Sequence, residues 1–223
     1  MIDDPRTAAE SLTGSIVHVW MVDLGPSVEK RTPQSRDAQR AASREKSRRI
    51  LGGYLDCPPE AVTIERIEGG KPVLPGSSND GLSFSLSHSA AAACLAVAVG
   101  RAVGVDVERV REGVDALGIA GRFFAVREAD ALTGLHPREA IEAFFRTWAR
   151  KEAYVKGLGE AVPAGLKRFV ILVGASGRPR VASTEFETTG RSTWLLRDLE
   201  APTGYVAALA VEGEIDRVVY FTY

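Results

Sequence analysis

Two short stretches of this sequence carry charge where a buried element is expected. In VGVDVE (103–108) apolar and polar positions alternate. On a β-strand Val103, Val105 and Val107 then share one face, and Asp106 and Glu108 share the other. The two carboxylates sit about 7 Å apart along the strand. Like charges at that spacing raise each other's pKa, and a hard divalent cation relieves the conflict. Mg²⁺ takes one or two carboxylates and completes its shell with water and phosphate oxygens. The same hexapeptide also fits a half-exposed strand with solvated acids, or a salt bridge to Arg109.

In WARKEAYVKGLG (148–159) Trp148, Glu152 and Lys156 recur at four-residue intervals, with Lys151 beside them. On a helix these fall on adjoining parts of one face, and Gly157 and Gly159 are expected to end it. An ordinary Glu–Lys pair one turn apart would contribute only about 0.3–0.5 kcal/mol. Further upstream, GKP (70–72) places Lys71 between glycine and proline in a rigid, exposed loop. FSLSHS (84–89) sets His88 between Ser87 and Ser89 at the start of an apolar strand. Lysine, histidine and hydroxyls are what a phosphate-binding surface supplies. A plain surface turn and a satisfied boundary histidine read the same way.

These groups need strands and helices to position them. SIVHVWMVDL (15–24) has strand composition, after an N-terminal stretch, 1–14, that reads as a loose tail. From Lys30 to Arg49 there are eight basic residues against two acids, and RDAQRAASREKSRRILGGYL (36–55) reads as a helix. VTIERI (62–67) is a candidate strand and GGKPVLPGSSNDG (69–81) a turn-rich loop. CLAVAVG and AVGVDVE are two strands joined at Gly100–Arg101, as in a hairpin. Helical pattern follows at 114–133 and 137–157. RFVILV (168–173), STWLLRDL (192–199), YVAALAV (205–211) and RVVYFTY (217–223) are further strand candidates. CLAVAVG-RA-VGVDVE echoes YVAALAV-EGEID-RVVYFTY, which suits two similar α+β halves meeting near residue 101.

The 223 residues suffice for one substantial core or two small ones, with 45% apolar and 26% charged residues. A net charge of −1 gives no global attraction to nucleic acid or anionic lipid. Cys57 and Cys94 stand far apart, in no disulfide or zinc-ligand spacing, which points to a reducing cytoplasm. MIDDPRTAAESLTG lacks the apolar core of a signal peptide, and the apolar run 90–99 is too short to span a bilayer. A soluble cytoplasmic protein is expected, with no nucleic-acid or membrane partner.

Taken in order, GKP, FSLSHS, VGVDVE and WARKEAYVKGLG resemble the signature of the Sfp-type 4′-phosphopantetheinyl transferases. RFFAVRE (122–128) is similar to that family's connector, and the basic helix ending RRILGGYL is similar too. The resemblance covers residues 70–172 best. It implies an α+β fold of two pseudo-symmetric halves, here 1–101 and 102–223, with the active site at their interface, in a monomer. It also implies an activity: transfer of the 4′-phosphopantetheine arm of coenzyme A to a serine of an apo acyl or peptidyl carrier protein, releasing adenosine 3′,5′-bisphosphate. Mg²⁺, or Mn²⁺ in its place, would be the cofactor.

By the same resemblance Asp106, Glu108 and Glu152 are metal ligands, and Glu152 is the candidate base, directly or through a bound water. Lys156 would sit on the transferring phosphate. Lys71, Ser87, His88 and Lys151 would contact coenzyme A. Arg48, aided by Arg36 or Arg40, would hold its 3′-phosphate, within a stripe that also includes Arg44. Ser85 replaces the asparagine common in the family, and Ala125 replaces a Ser or Thr helix cap. Val107, between the two strand acids, cannot bind metal. Carriers of fatty-acid synthesis, polyketide synthases and nonribosomal peptide synthetases all remain open, with two-halved length favouring secondary metabolism such as antibiotic biosynthesis.

Overall fold

The computed structural model describes residues 3–25, 32–67, 70–75, 81–160, 166–174, 176–184 and 193–223. Lys30, residues 69 and 76–80 of the loop expected at 69–81 and the first residue of the 192–199 strand lie outside them. In chain order the elements are α1 (Pro5–Ala9), β1 (Ile16–Asp23), α2 (Pro33–Tyr54), β2 (Glu65–Arg66), β3 (Pro72–Val73), β4 (Leu82–Ser89), β5 (Ala92–Val99) and β6 (Val103–Arg109). Then follow α3 (Ala116–Phe123), α4 (Val126–Thr133), α5 (Pro137–Leu158), β7 (Phe169–Val173), β8 (Pro179–Thr184), β9 (Trp194–Leu199), β10 (Tyr205–Glu212) and β11 (Arg217–Thr222). The fold is mixed α+β.

One sheet has the order β11-β1-β5-β4 and a second the order β6-β10-β9. The antiparallel run β1-β5-β4 recurs as β6-β10-β9. In each run the first strand is followed in sequence by a 22-residue helix that opens on proline, α2 or α5. Proline suits that first position because its missing N–H would have no partner there.

Both expected hairpins are corrected. β5 and β6 do not pair: β5 lies in the first sheet, and β6 pairs with β10 in the second. Likewise β10 and β11 separate, and β11 pairs in parallel with β1. Each short connection is a crossover from one sheet to the other. The reason is burial on both faces, which a solvent-facing hairpin could not supply. Val17, Val19, Cys94, Ala96 and Ala98 of the first sheet meet Val103, Val105, Val107, Leu209 and Val211 of the second in one apolar seam. The opposite faces pack on helices: Trp20, Leu95 and Phe84 with α2, and Ala208 and Ala210 with α5.

Other expectations shift locally. The N-terminal stretch is not loose. Asp4 caps α1, and Pro5 packs so closely on α2 that a Cβ on Gly53 would lie 2.5 Å from it. Only Glu65–Arg66 of 62–67 is strand. The helical stretch 114–133 breaks into two at Phe124 and Ala125, both extended. Gly157 lies inside α5 rather than ending it, and the left-handed Gly159 (φ 82°) is the cap.

Candidate active site

The chemistry-bearing residues meet where β4, β6 and α5 converge. Among the described residues β4 and β6 are each the edge of their own sheet, and they run side by side. Serine side chains bridge them in place of a backbone ladder. The strand alternation puts Ser83, Ser85, Ser87 and Ser89 on the face of β4 turned to β6. Ser83 Oγ donates to the carbonyl of Arg101 (2.6 Å), and Ser85 Oγ accepts from the Val105 N–H (3.0 Å). Ser87 Oγ donates to Asp106 Oδ1 (2.6 Å), and Ser89 Oγ donates to Glu108 Oε2 (2.8 Å).

The third element reaches the acids through two glycines. A Cβ on Gly104 would stand 2.0 Å from the Ala153 carbonyl oxygen and 2.3 Å from the Gly157 N, so α5 lies directly on β6 there. A Cβ on Gly157 would strike the Trp194 ring at 2.5 Å. This close approach brings Lys156 Nζ to 2.6 Å from Asp106 Oδ1, 3.1 Å from Ser87 Oγ and 3.2 Å from Glu152 Oε2.

The electrostatics reflect burial first and crowding of acids second. Asp106 is buried, and burial raises its carboxyl well above the usual range; Lys156 opposes the rise while Glu152 and Glu108 add to it. Burial also raises Glu108, against the hydrogen bond from Ser89. Burial opposes the Lys156 charge, but Asp106 and Glu152 outweigh it and hold the ammonium above the ordinary lysine range.

The donor set suits a hard divalent cation in two respects. Asp106 Oδ2 is buried without a hydrogen-bond partner among the described residues, an orphaned anion oxygen. Three carboxylates against one ammonium leave an excess of negative charge, and all their oxygens are hard ligands. Among the described residues no three His, Cys, Asp or Glu side chains already stand in ligand geometry. The Lys156 ammonium is what joins Asp106 to Glu152.

Beside this cluster opens a cleft of about 430 Å³, lined by Arg40, Arg44 and Ser43 of α2, by Arg66, Lys71, His88 and Lys156, and by Glu160. Five of these side chains are Arg or Lys, which suits a polyanionic ligand. Arg40, Lys71, His88 and Lys156 were expected at such a site; Arg66 was not singled out. Lys71 Nζ donates to the carbonyls of Gly157 (2.8 Å) and Val103 (3.3 Å), and burial pushes its pKa down to about 8.

Four expected ligand contacts are not seen in this geometry; the first is Ser87, which does not line the cleft and whose hydroxyl is on Asp106 and Lys156. Lys151 is fully buried, on the other side of α5. Its Nζ donates to both Glu128 oxygens (2.9 and 2.7 Å) and to the Phe169 carbonyl (2.8 Å), 4.0 Å from the Phe169 ring centroid. Its charge is spent tying α4 and β7 to α5, so the expected role on coenzyme A is withdrawn. Arg48 donates to the Val62 carbonyl (2.7 Å), and neither it nor the exposed Arg36 lines the cleft. The helix turn sets this outcome, since each four-residue step drifts around the axis, and Arg40 and Arg44, both exposed, are the pair that borders the cleft.

Sequence reasoning missed Ser89 and Gly104. The alternation of serines through SFSLSHS was the available signal for the first; for the second it was a lone glycine inside a strand pattern, which marks close backbone approach. Trp148 packs against the core, edge-on to Phe123 and tilted against Phe124 and Phe144.

Residues 102–210 match the profile of the 4′-phosphopantetheinyl transferase superfamily. The 4′-phosphopantetheinyl transferase HetI of Nostoc sp. (strain PCC 7120) is 35% identical over 167 residues, 74% of this chain and 67% of the relative. The 4′-phosphopantetheinyl transferase AcpT of Escherichia coli (strain K12) is 30% identical over 66% of this chain and 71% of its own length. A solved holo-(acyl-carrier-protein) synthase from Bacillus anthracis, in complex with CoA (3′,5′-ADP), superposes on 51% of this chain and 96% of its own, with 17% identity and a TM-score of 0.43. The chain belongs to the 4′-phosphopantetheinyl transferase superfamily.

Proposed function

We propose that this protein transfers the 4′-phosphopantetheine arm of coenzyme A to a serine hydroxyl of an apo carrier protein, releasing adenosine 3′,5′-bisphosphate. The observation that carries this reading is the cluster of buried Asp106 with partly buried Glu108, Glu152 and Lys156, opening onto a cationic cleft. The cleft takes the phosphates of coenzyme A, with Arg40, Arg44, Arg66, Lys71 and His88 as its charged or polar partners. Lys156 lines both the cleft and the acid cluster, so its ammonium balances charge on the transferred phosphate. Ser87 holds Asp106 and contacts Lys156.

In the transfer, the carrier serine oxygen forms a bond to the β-phosphorus of coenzyme A as the bond to the bisphosphate leaving group breaks. The serine proton passes to Glu152, the partly buried carboxylate that α5 contributes to the cluster beside Lys156. Asp106, Glu108 and Glu152 are the residues that would hold Mg²⁺ or Mn²⁺, and the ion would neutralise charge on the diphosphate and align it for in-line attack.

The remaining parts of the reading have separate support. The recurrence of the strand order supports the division at 101/102, although β11 joins the first sheet, and a cleft lined from both α2 and α5 of one chain supports the monomer. Cys57 and Cys94 are free thiols, as in a reducing cytoplasm, and no helix among the described residues is long and apolar enough to cross a membrane. The carriers of polyketide and nonribosomal-peptide assembly are the substrates this reading favours.

The test is intact-mass measurement of an apo carrier incubated with the enzyme, coenzyme A and Mg²⁺. The carrier should gain one phosphopantetheine, and Asp106→Ala should lower the rate about a thousandfold, equivalent to ~4 kcal/mol. Hydrolysis of coenzyme A with no mass gain on any carrier would overturn the reading.

A further inference from the structure

Ser89 ends β4 and is buried, with its backbone fixed by pairing to Ala92 across the β4–β5 turn. Its Oγ accepts the backbone N–H of Arg109 at 3.2 Å and lies 2.8 Å from Glu108 Oε2. A hydroxyl has one hydrogen, and an ionised carboxylate can only accept. With the Arg109 N–H directed at the oxygen, the hydroxyl hydrogen is left for Glu108. Both contacts fall on consecutive residues of β6, so Ser89 grips the Glu108 side chain and the backbone just beyond it together. Asp106, two residues earlier on the same face, receives the hydroxyl of Ser87 in the same way. Glutamate has one more rotatable bond than aspartate and, at the half-buried end of β6, less packing to hold it. It has the greater need of such a hold.

We propose that Ser89 is a positioning residue for divalent-cation binding: its hydroxyl, oriented by the Arg109 N–H, fixes the Glu108 carboxylate beside Asp106 on the ion-binding side of β6. This rests on the metal reading of the acid cluster. It also separates Ser89 from Ser85, whose hydroxyl takes the Val105 N–H and has the character of a strand-to-strand link.

Isothermal titration of Mn²⁺ into the coenzyme A-saturated protein tests it. Ser89→Ala should raise the Mn²⁺ dissociation constant about tenfold or more, the usual effect of losing a hydrogen bond to a metal ligand. Ser89→Thr, which keeps the hydroxyl, should stay within about twofold of the unaltered protein, and Ser89→Cys, a weak donor of similar size, should fall between. The KM for coenzyme A at saturating Mn²⁺ should be unchanged. Should Ser89→Ala fail to fold, the comparison of Cys with Thr decides. Unaltered Mn²⁺ affinity in Ser89→Ala or Ser89→Cys overturns the proposal and leaves the metal reading standing. Equal weakening in all three variants, tracking their loss of thermal stability, also overturns it, because a merely structural link would behave so. Absence of Mn²⁺ binding by the unaltered protein overturns the proposal together with the metal reading.

Discussion

Lys151 and Lys156 sit five residues apart on α5 and have opposite fates. Lys156 reaches the acid cluster, whereas Lys151 is sealed against Glu128, which also accepts the N–H groups of Ala125 and Ile171. That last pair explains how α4 begins without a Ser or Thr cap: the Glu128 carboxylate reaches back to the Ala125 N–H at 3.0 Å. Removing one partner of a buried ion pair leaves an uncompensated charge. Lys151→Met should therefore cost about 3–5 kcal/mol in urea unfolding, and adding Glu128→Met should recover part of it. At a temperature where the single variant is folded, its KM for coenzyme A should be unchanged; a raised KM would return Lys151 to the ligand.

His18 offers a pH test at the same scale. It is fully buried, with Nδ1 2.7 Å from Tyr54 Oη, which also receives the Trp20 Nε1–H at 2.9 Å. His18 and Tyr54 share this hydrogen bond, and the buried imidazole stays neutral. Burial, with Arg217 adding to it, pushes its pKa from 6.5 down to about 4. The unfolded chain binds this proton below about 6.5 while the folded chain resists it until about 4, so stability falls as pH drops through that window. About 2 kcal/mol should be lost between pH 7 and pH 5. In His18→Gln this share of the pH dependence should vanish, and urea unfolding at the two pH values compares them.

Among the elements, the decisive contact is α5 on β6. Glycine at 104 lets a helix backbone rest on a strand, and the atoms a side chain would meet there are backbone atoms that cannot swing aside. Gly104→Ala should cost about 1–3 kcal/mol or more, by overpacking. It should also lower kcat more than the KM for coenzyme A, because it parts Glu152 and Lys156 from Asp106 while leaving the arginines of α2 in place. A loss confined to KM would contradict this. The serines of β4 solve the complementary problem: two edge strands from different sheets meet, and hydroxyls satisfy groups such as the Val105 N–H that would otherwise be buried without a partner.

For the molecule as a whole, the cleft is lined by residues of α2, β3 and β4 together with Lys156 of α5. A ligand filling it contacts α2 and α5 together. Coenzyme A at a hundred times its dissociation constant should raise stability by about 2.7 kcal/mol in a single unfolding transition, read by thermal melting. Arg40→Ala and Arg44→Ala should each weaken binding about tenfold, the value of one charged hydrogen bond, and shrink that gain. Arg48→Ala should leave the ligand-induced gain intact, since its guanidinium is engaged at Val62.

By itself the sequence determined the local frame. The alternation in VGVDVE put the valines inward and the acids together, and the spacing in α5 set Glu152 and Lys156 on one face, because periods of two and 3.6 are properties of the backbone alone. It also marked the echo between the two strand–turn–strand segments. Only the tertiary structure decided what each face meets. A two-residue connection after Gly100 is equally compatible with a hairpin and with a crossover between sheets, and burial of both faces selects the crossover. Likewise Lys151 and Arg48 carry the same charge as Lys156 and Arg44. Their neighbours across the fold, Glu128 and the Val62 carbonyl, lie 23 and 14 residues away in the chain and consume that charge.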